Sequence, residues 1–292
     1  LLATFVIGLR EGLEAALIVG IVAAFLGRQG RADTVRLVWL GVGLAVAICA
    51  AVAVGLRLLS ASLPEVEQEM LETVISGVAV AMVSYMIVWM RRHARGMKRH
   101  LESAAGSALA SGTAWALVAM AFLAVLREGF ETAVFLLAAF QASTSELAAS
   151  VGAIGGIVVA AGIGYGIYRG GVRIDLARFF RFTGLVLVLV AAGLVAMALH
   201  TAHEAGWLDV GQQTALDLTW LIQPGTLIAT LLTGILGFQP EPTVIELIGW
   251  LAYFVPLALY VMWPQRTLPG SPGRADVRPA GEADGASVPA TN

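Results

Sequence analysis

Charge is scarce in this chain, and cysteine and lysine are scarcer. Only 13% of its 292 residues are charged, where an ordinary soluble domain carries about 25%. With 58% hydrophobic residues and a mean hydropathy of +0.83, that shortage excludes a typical soluble globular domain. It also leaves no basic surface for nucleic acid. The single cysteine, Cys49, excludes an internal disulfide. The single lysine, Lys98, leaves the positive charge to arginine. The net charge of -2 excludes little, because the placement of charge carries the information.

Long apolar runs take the place of charge. Segments near 4–26, 37–59, 71–90, 114–140, 148–168, 182–199 and 243–263 are each long enough to cross a hydrocarbon core of ~30 Å. Inside a bilayer the backbone must satisfy its own hydrogen bonds, so each is expected to be helical. The first segment is longer than a signal-peptide core and lacks a basic region before it, so it reads as a retained helix. The stretch 224–238, after Pro224-Gly225, is too short to span and reads as a re-entrant or surface-lying helix.

Arginine placement orients the chain. Arg28, Arg31 and Arg36 fall in one connecting loop, and Arg91, Arg92, Arg95, Lys98 and Arg99 in another. Arg169, Arg173, Arg178 and Arg181 fall in a third. The alternate loops are acidic: Glu65, Glu67, Glu69 and Glu72 in one, with Glu204, Asp209, Asp217 and Glu241 in another. Basic loops stay cytoplasmic, so the N-terminus is predicted outside and the tail inside. The acidic loops read either as a solvated surface or as a mouth that concentrates cations. Residues 264–292, rich in Pro, Gly and Ala, read as a disordered cytoplasmic tail.

Charge does occur where it is most costly. Arg10, Glu11 and Glu14 lie inside the first apolar segment, and Arg127, Glu128 and Glu131 repeat the pattern in the fourth. The stretches align without gaps at an offset of 117 residues, Phe5 on Phe122 and Leu9 on Leu126. Three crossings separate them, so the two helices run in opposite directions. The fold class expected is therefore an all-α polytopic membrane protein of seven transmembrane helices with its N-terminus outside. It would be an inverted repeat of two three-helix units, about 4–90 and 114–199, plus a last helix at 243–263. The transmembrane domain then covers 1–263.

Each charge at a helix centre costs roughly 2.5–3.5 kcal/mol on insertion scales, so these six side chains must face one another or a wet cavity. Glu11 and Glu14 share a helix face, and Arg10 can meet Glu14 one turn on; the second motif repeats both relations. Four carboxylates against two arginines leave two negative charges in excess, which invites a cation rather than a purely structural lock. Carboxylate oxygens suit hard ions, among them magnesium, calcium, manganese and ferric iron, and they accept ferrous iron. Gly12 and Gly129, between the glutamates, are expected to let the first and fourth helices pack closely.

Arg10-Glu11-Gly12-Leu13-Glu14 and Arg127-Glu128-Gly129-Phe130-Glu131 resemble the paired Arg-Glu-x-x-Glu motifs of the oxidase-coupled high-affinity iron permeases. That family includes yeast permeases and the bacterial Efe-type permeases. The resemblance covers about 1–263. It implies iron import, with Glu11, Glu14, Glu128 and Glu131 as iron ligands along the route. Arg10 and Arg127 would hold the carboxylates in place. Iron would be the transported substrate, with no resident cofactor. An extracytoplasmic iron-binding or iron-oxidising protein would be the partner. The chain would sit in a bacterial cytoplasmic membrane and would not be an enzyme. The rivals are a permease for another hard divalent cation such as manganese, and a membrane di-iron oxidase. Four-helix di-iron sites use Glu-x-x-His pairs, whereas the residue three after each first glutamate is again Glu.

Other residues carry weaker signals. Glu69 and Glu72 are either favourable charge at a helix N-terminus or a first outer stop for the metal. His200, His203 and Glu204 read as interfacial, with metal binding at the mouth as the alternative. Met82, Met86 and Met90 form a stripe at helical spacing and read as packing. Glu246 reads as pathway-lining or snorkelling. Trp250, Tyr253, Tyr260 and Trp263 read as an aromatic belt.

Overall fold

A computed structural model describes residues 1–28, 32–93, 114–143, 145–169, 175–220, 222, 226, 233, 237 and 240–263. Among these residues the chain forms seven α-helices and no strand. They are α1 (Leu2–Arg28), α2 (Ala32–Ser62), α3 (Glu65–His93), α4 (Ala114–Gln141), α5 (Glu146–Tyr168), α6 (Leu176–Glu204) and α7 (Val244–Met262). Each expected apolar segment falls on one of them, extended by several residues in most cases. The basic residues Arg31, Arg95, Lys98, Arg99 and Arg173, most of 224–238 and the tail 264–292 lie outside the described residues.

Five helices are long and apolar enough to cross a membrane by length and composition: those containing Val35–Ser62, Glu65–Arg91, Glu146–Ile167, Arg178–Glu204 and Val244–Met262. The remaining two, α1 and α4, carry the three motif charges in mid-helix. The apolar faces fit this setting. Leu40, Leu44 and Leu58 of α2, Leu147, Val151 and Ile154 of α5, and Ile248, Leu251 and Leu259 of α7 are all exposed. So much bare apolar surface suits a lipid surround and not water.

Small residues set the helix pairing. A Cβ added at Gly8 of α1 would lie 2.7 Å from the Ala153 carbonyl oxygen, and one at Gly12 would lie 2.9 Å from the Ala160 Cβ. Further along, Gly164 abuts Ala16. Residue numbers rise together on both helices, so α1 and α5 run parallel. The α2–α4 pair is parallel too, with Gly41 on Val118 and Gly129 on Cys49. Between these pairs α1 meets α4 in the opposite sense: Val22 packs with Val118 and Ala121, and Val19 with Val125. The α3 and α6 helices also pack together, joined near one end by Thr73 Oγ1 and Thr201 Oγ1 at 2.7 Å.

Caps fix where the helices begin and end. Ser145 accepts from the Ala148 N–H to start α5, and Asp175 accepts from the Arg178 N–H to start α6. Helix α6 ends in a Schellman pattern: the Trp207 N–H donates to the Ala202 carbonyl and the Gly206 N–H to that of His203. Gly206 takes the left-handed φ of 74° that this ending requires. At the start of α7, Thr243 Oγ1 accepts from the Glu246 N–H while the Glu246 carboxylate accepts from the Thr243 N–H. This reciprocal pair is a capping box.

Candidate metal centre

The antiparallel crossing of α1 and α4 brings the two motifs together. Glu11, Glu128 and Glu131 each offer one carboxylate oxygen, and these three atoms lie within 4.8 Å of one another. Two oxygens on opposite sides of a bound cation stand roughly 4–5 Å apart, twice the usual metal–oxygen distance. The cluster is therefore spaced for an ion. Glu11 and Glu128 are buried, and one oxygen of each, Oε2, has no hydrogen-bond partner. Buried acceptors are nearly always satisfied; these two are not, and Glu14 Oε1 in the first motif is likewise without a hydrogen-bond partner.

The arginines divide the carboxylates unequally. Arg10, only 1% exposed, lies 2.9 Å from Glu11 through Nη1 and 3.2 Å from Glu14 through Nη2. Arg127 pairs with Glu131 at 2.9 Å through Nε, and its side chain is 54% exposed. Both i,i+4 pairs expected from spacing are thus formed. Among the described residues no basic group forms an ion pair with Glu128. Glu14 stands with Arg10, outside the three-carboxylate group.

Three contacts were not visible in the spacing. The Arg10 Nη1 is directed at the Met86 sulfur. The Arg10 guanidinium lies 5.9 Å from the Phe180 ring centroid, and that of Arg127 lies 5.9 Å from the Trp89 centroid, both within cation–π range. Phe180 comes from α6, and Met86 and Trp89 from α3, neither of which bears a motif. The only sequence signal was the methionine stripe. Met86 and Met90 are indeed buried in the core with Met82 packed beside them, but packing omits the contact of Met86 with Arg10.

The glycines correct one expectation. Gly12 packs on α5 at Ala160, and Gly129 packs on α2 at Cys49, so they close the flanking pairs rather than α1 on α4. The reason is helical rotation of about 100° per residue. A residue next to a glutamate that faces the other motif must itself face sideways.

A second polar group ties α6 to α7. His200 lies 3.0 Å from the Glu246 carboxylate through Nδ1 and 3.4 Å from Glu204 through Nε2, and the Glu69 carboxylate of α3 lies close enough to Glu204 to feel its charge. Glu246 is buried and serves as a capping and ion-pairing residue, so it does not snorkel. Glu72 accepts from Gln68 at 3.1 Å, apart from this group. His203 contacts the Leu208 carbonyl at 2.8 Å through Nδ1. Trp250 is not a belt residue: it is buried and stacks on Phe254 at 4.7 Å, because it faces the small residues Ala192 and Ala196 of α6. Tyr253 bonds Ser84 at 2.9 Å, while Tyr260 and Trp263 are exposed as a belt requires.

Residues 1–267 match the iron permease FTR1 family. The chain is similar to the ferrous iron permease EfeU of Yersinia pestis, 43% identical over 269 residues, or 91% of this chain and 95% of that protein. It is also similar to the ferrous iron permease EfeU of Escherichia coli O6:K15:H31, 40% identical over 264 residues, or 90% and 95% of the two chains. No solved structure matches it. With a match spanning nearly all of its length, the chain belongs to the iron permease FTR1 family.

Proposed function

We propose that this chain imports iron across the cytoplasmic membrane of a bacterium, with the ion bound between α1 and α4. The observation that carries this reading is the meeting of Glu11, Glu128 and Glu131 from two copies of one motif. The names of the relatives add ferrous iron as the substrate and permease as the class, so the di-iron oxidase reading lapses. Arg10, itself paired with Glu14, holds Glu11 in place within the first motif, and Arg127 does the same for Glu131 in the second.

We also propose seven spans, an inverted repeat and an outside N-terminus. The helix pairing supports this. Exchanging α1 with α4, α2 with α5 and α3 with α6 turns the α1–α5 pair into α4–α2, and α1–α6 into α4–α3. It leaves α1–α4 and α3–α6 as they are, and every one of these pairs packs in the structure. An inverted repeat places its substrate site at the repeat interface near the membrane midplane. On this orientation Glu69, Glu204, His200 and Glu246 lie at the outer end, where Glu69 offers a first stop for the ion. An extracytoplasmic iron-binding or iron-oxidising protein would deliver the ion there.

Uptake into proteoliposomes tests the reading, with ferrous, ferric and manganese ions compared. Ferrous uptake by the wild type that Glu128→Gln abolishes is the expected result. Manganese uptake without iron uptake would replace the substrate.

A further inference from the structure

The guanidinium of Arg10 is buried with too few oxygens around it. Its Nη1 donates to Glu11 and is directed at the Met86 sulfur, its Nη2 faces Glu14, and its Nε has no hydrogen-bond partner. A guanidinium has five N–H donors in one plane, whereas a thioether sulfur is a weak acceptor. Another carboxylate at that place would hold Arg10 more strongly. It would also compete with Glu11 and Glu14 for the same charge and add a fifth acid to the centre. A sulfur fixes the plane of the guanidinium without neutralising it. Met86 is itself 4% exposed and packed on all sides, so its sulfur is held in position. Three residues on, along the same side of α3, Trp89 lies against Arg127. Thus a helix without a motif touches both motif arginines.

We propose that Met86 is a positioning residue of the metal centre: its sulfur orients Arg10, which keeps Glu11 turned toward Glu128 and Glu131. The inference rests on the reading of that centre as an iron site. Two substitutions separate it from simple packing. Met86→Leu conserves volume and deletes the acceptor; Met86→Gln conserves length and supplies an oxygen. If Met86 only packs, leucine is tolerated and glutamine, a polar group in an apolar shell, is harmful. If Met86 orients Arg10, the order reverses.

The measurements are made on the full chain purified in detergent. With no metal added, the thermal midpoint of Met86→Gln should lie above that of Met86→Leu; the opposite order overturns the proposal. In ferrous-ion binding, Met86→Leu should weaken affinity roughly tenfold, as loss of an outer partner of a metal ligand does. Met86→Gln should restore most of it. In an Arg10→Lys background Met86→Leu should have no further effect on affinity, since contacting residues couple. Leucine affinity equal to the wild type also overturns the proposal. A wild type that binds no iron would sink the iron reading alone, because the midpoint order is measured without metal.

Discussion

Glu11 and Glu128 occupy equivalent places in the two copies of the motif, and their carboxylates face each other across α1 and α4, within 4.8 Å. Neither is exposed, and each leaves one oxygen without a hydrogen bond. Their environments nonetheless differ: Glu11 is held by Arg10 at 2.9 Å, while Glu128 has no such partner among the described residues. Equivalent residues have thus been given unequal neighbours at the point where a cation would bind.

That inequality predicts a division of labour among the four glutamates. Glu128→Gln and Glu131→Ala should reduce ferrous-ion binding by more than the roughly 100-fold that marks the upper end for outer partners of a ligand. Glu14→Ala should weaken binding only about tenfold, because Glu14 acts through Arg10. It should still abolish transport, since it leaves a buried guanidinium short of a counter-charge. Binding by titration calorimetry and uptake in proteoliposomes separate the two effects. Binding losses of equal size for Glu14→Ala and Glu128→Gln would make Glu14 a direct ligand.

The orientation predicts which sites a thiol reagent can reach. In a Cys49→Ala background, cysteines at Glu67 and Gln212 should label with an impermeant reagent in intact cells. One at Arg169 should label only after permeabilisation. Labelling of Arg169→Cys in intact cells would invert the topology and discard the N-terminus-out arrangement.

Much of this was legible in the sequence because it depends on spacing alone. Apolar length located all seven helices, and i,i+4 separation gave Arg10–Glu14 and Arg127–Glu131. The repeat offset of 117 residues alone pairs the two motifs. What spacing cannot supply is the rotation of one helix against another. For that reason spacing points Gly12 and Gly129 at each other's helices rather than at α5 and α2, and reads Trp250 as an aromatic-belt residue although it faces α6. Contacts between residues far apart in the chain were hidden as well. Met86 meets Arg10 across 76 positions, and nothing local to a methionine stripe marks which of its members touches a charge. For Glu246 the sequence leaves pathway-lining and snorkelling open; burial removes snorkelling, and its capping-box partner is Thr243, three residues before it.

Helix packing yields a stability contrast between two glycines of the same helix. A Cβ at Gly156 of α5 would run into the Phe5 carbonyl and the Leu9 amide of α1, whereas one at Gly162 would meet nothing within 4 Å. Backbone cannot move aside as a flexible side chain can. Gly156→Ala should therefore lower the thermal midpoint in detergent and reduce ferrous-ion binding, because α1 carries Glu11. Gly162→Ala should be neutral or stabilising by about 0.5–1 kcal/mol, the usual helix preference of alanine over glycine. If Gly156→Ala melts with the wild type, the close α1–α5 approach does not set the position of the first motif.

Charge balance predicts how metal binding responds to acid. Fully ionised, the four glutamates and two arginines of the motifs leave a net charge of two negatives, which one ferrous ion would cancel. Protons compete for the same oxygens, because a carboxylate must be deprotonated to ligate a metal. Any proton held by the empty centre must leave as the ion binds, so lowering the proton concentration favours the bound state. The sign follows: iron affinity should rise as pH rises between about pH 5 and 7.5, above the ordinary carboxylate value of about 4.3, where only carboxylates crowded together out of water still hold a proton. The slope of log affinity against pH counts the protons released. Glu128→Gln removes one ionisable ligand and should flatten that slope as well as weaken binding. Ferrous-ion titrations of the purified protein under anaerobic conditions, repeated across the range, measure both. A flat profile for the wild type would mean that the empty centre holds no proton in this range, and ion binding would then be uncoupled from proton release.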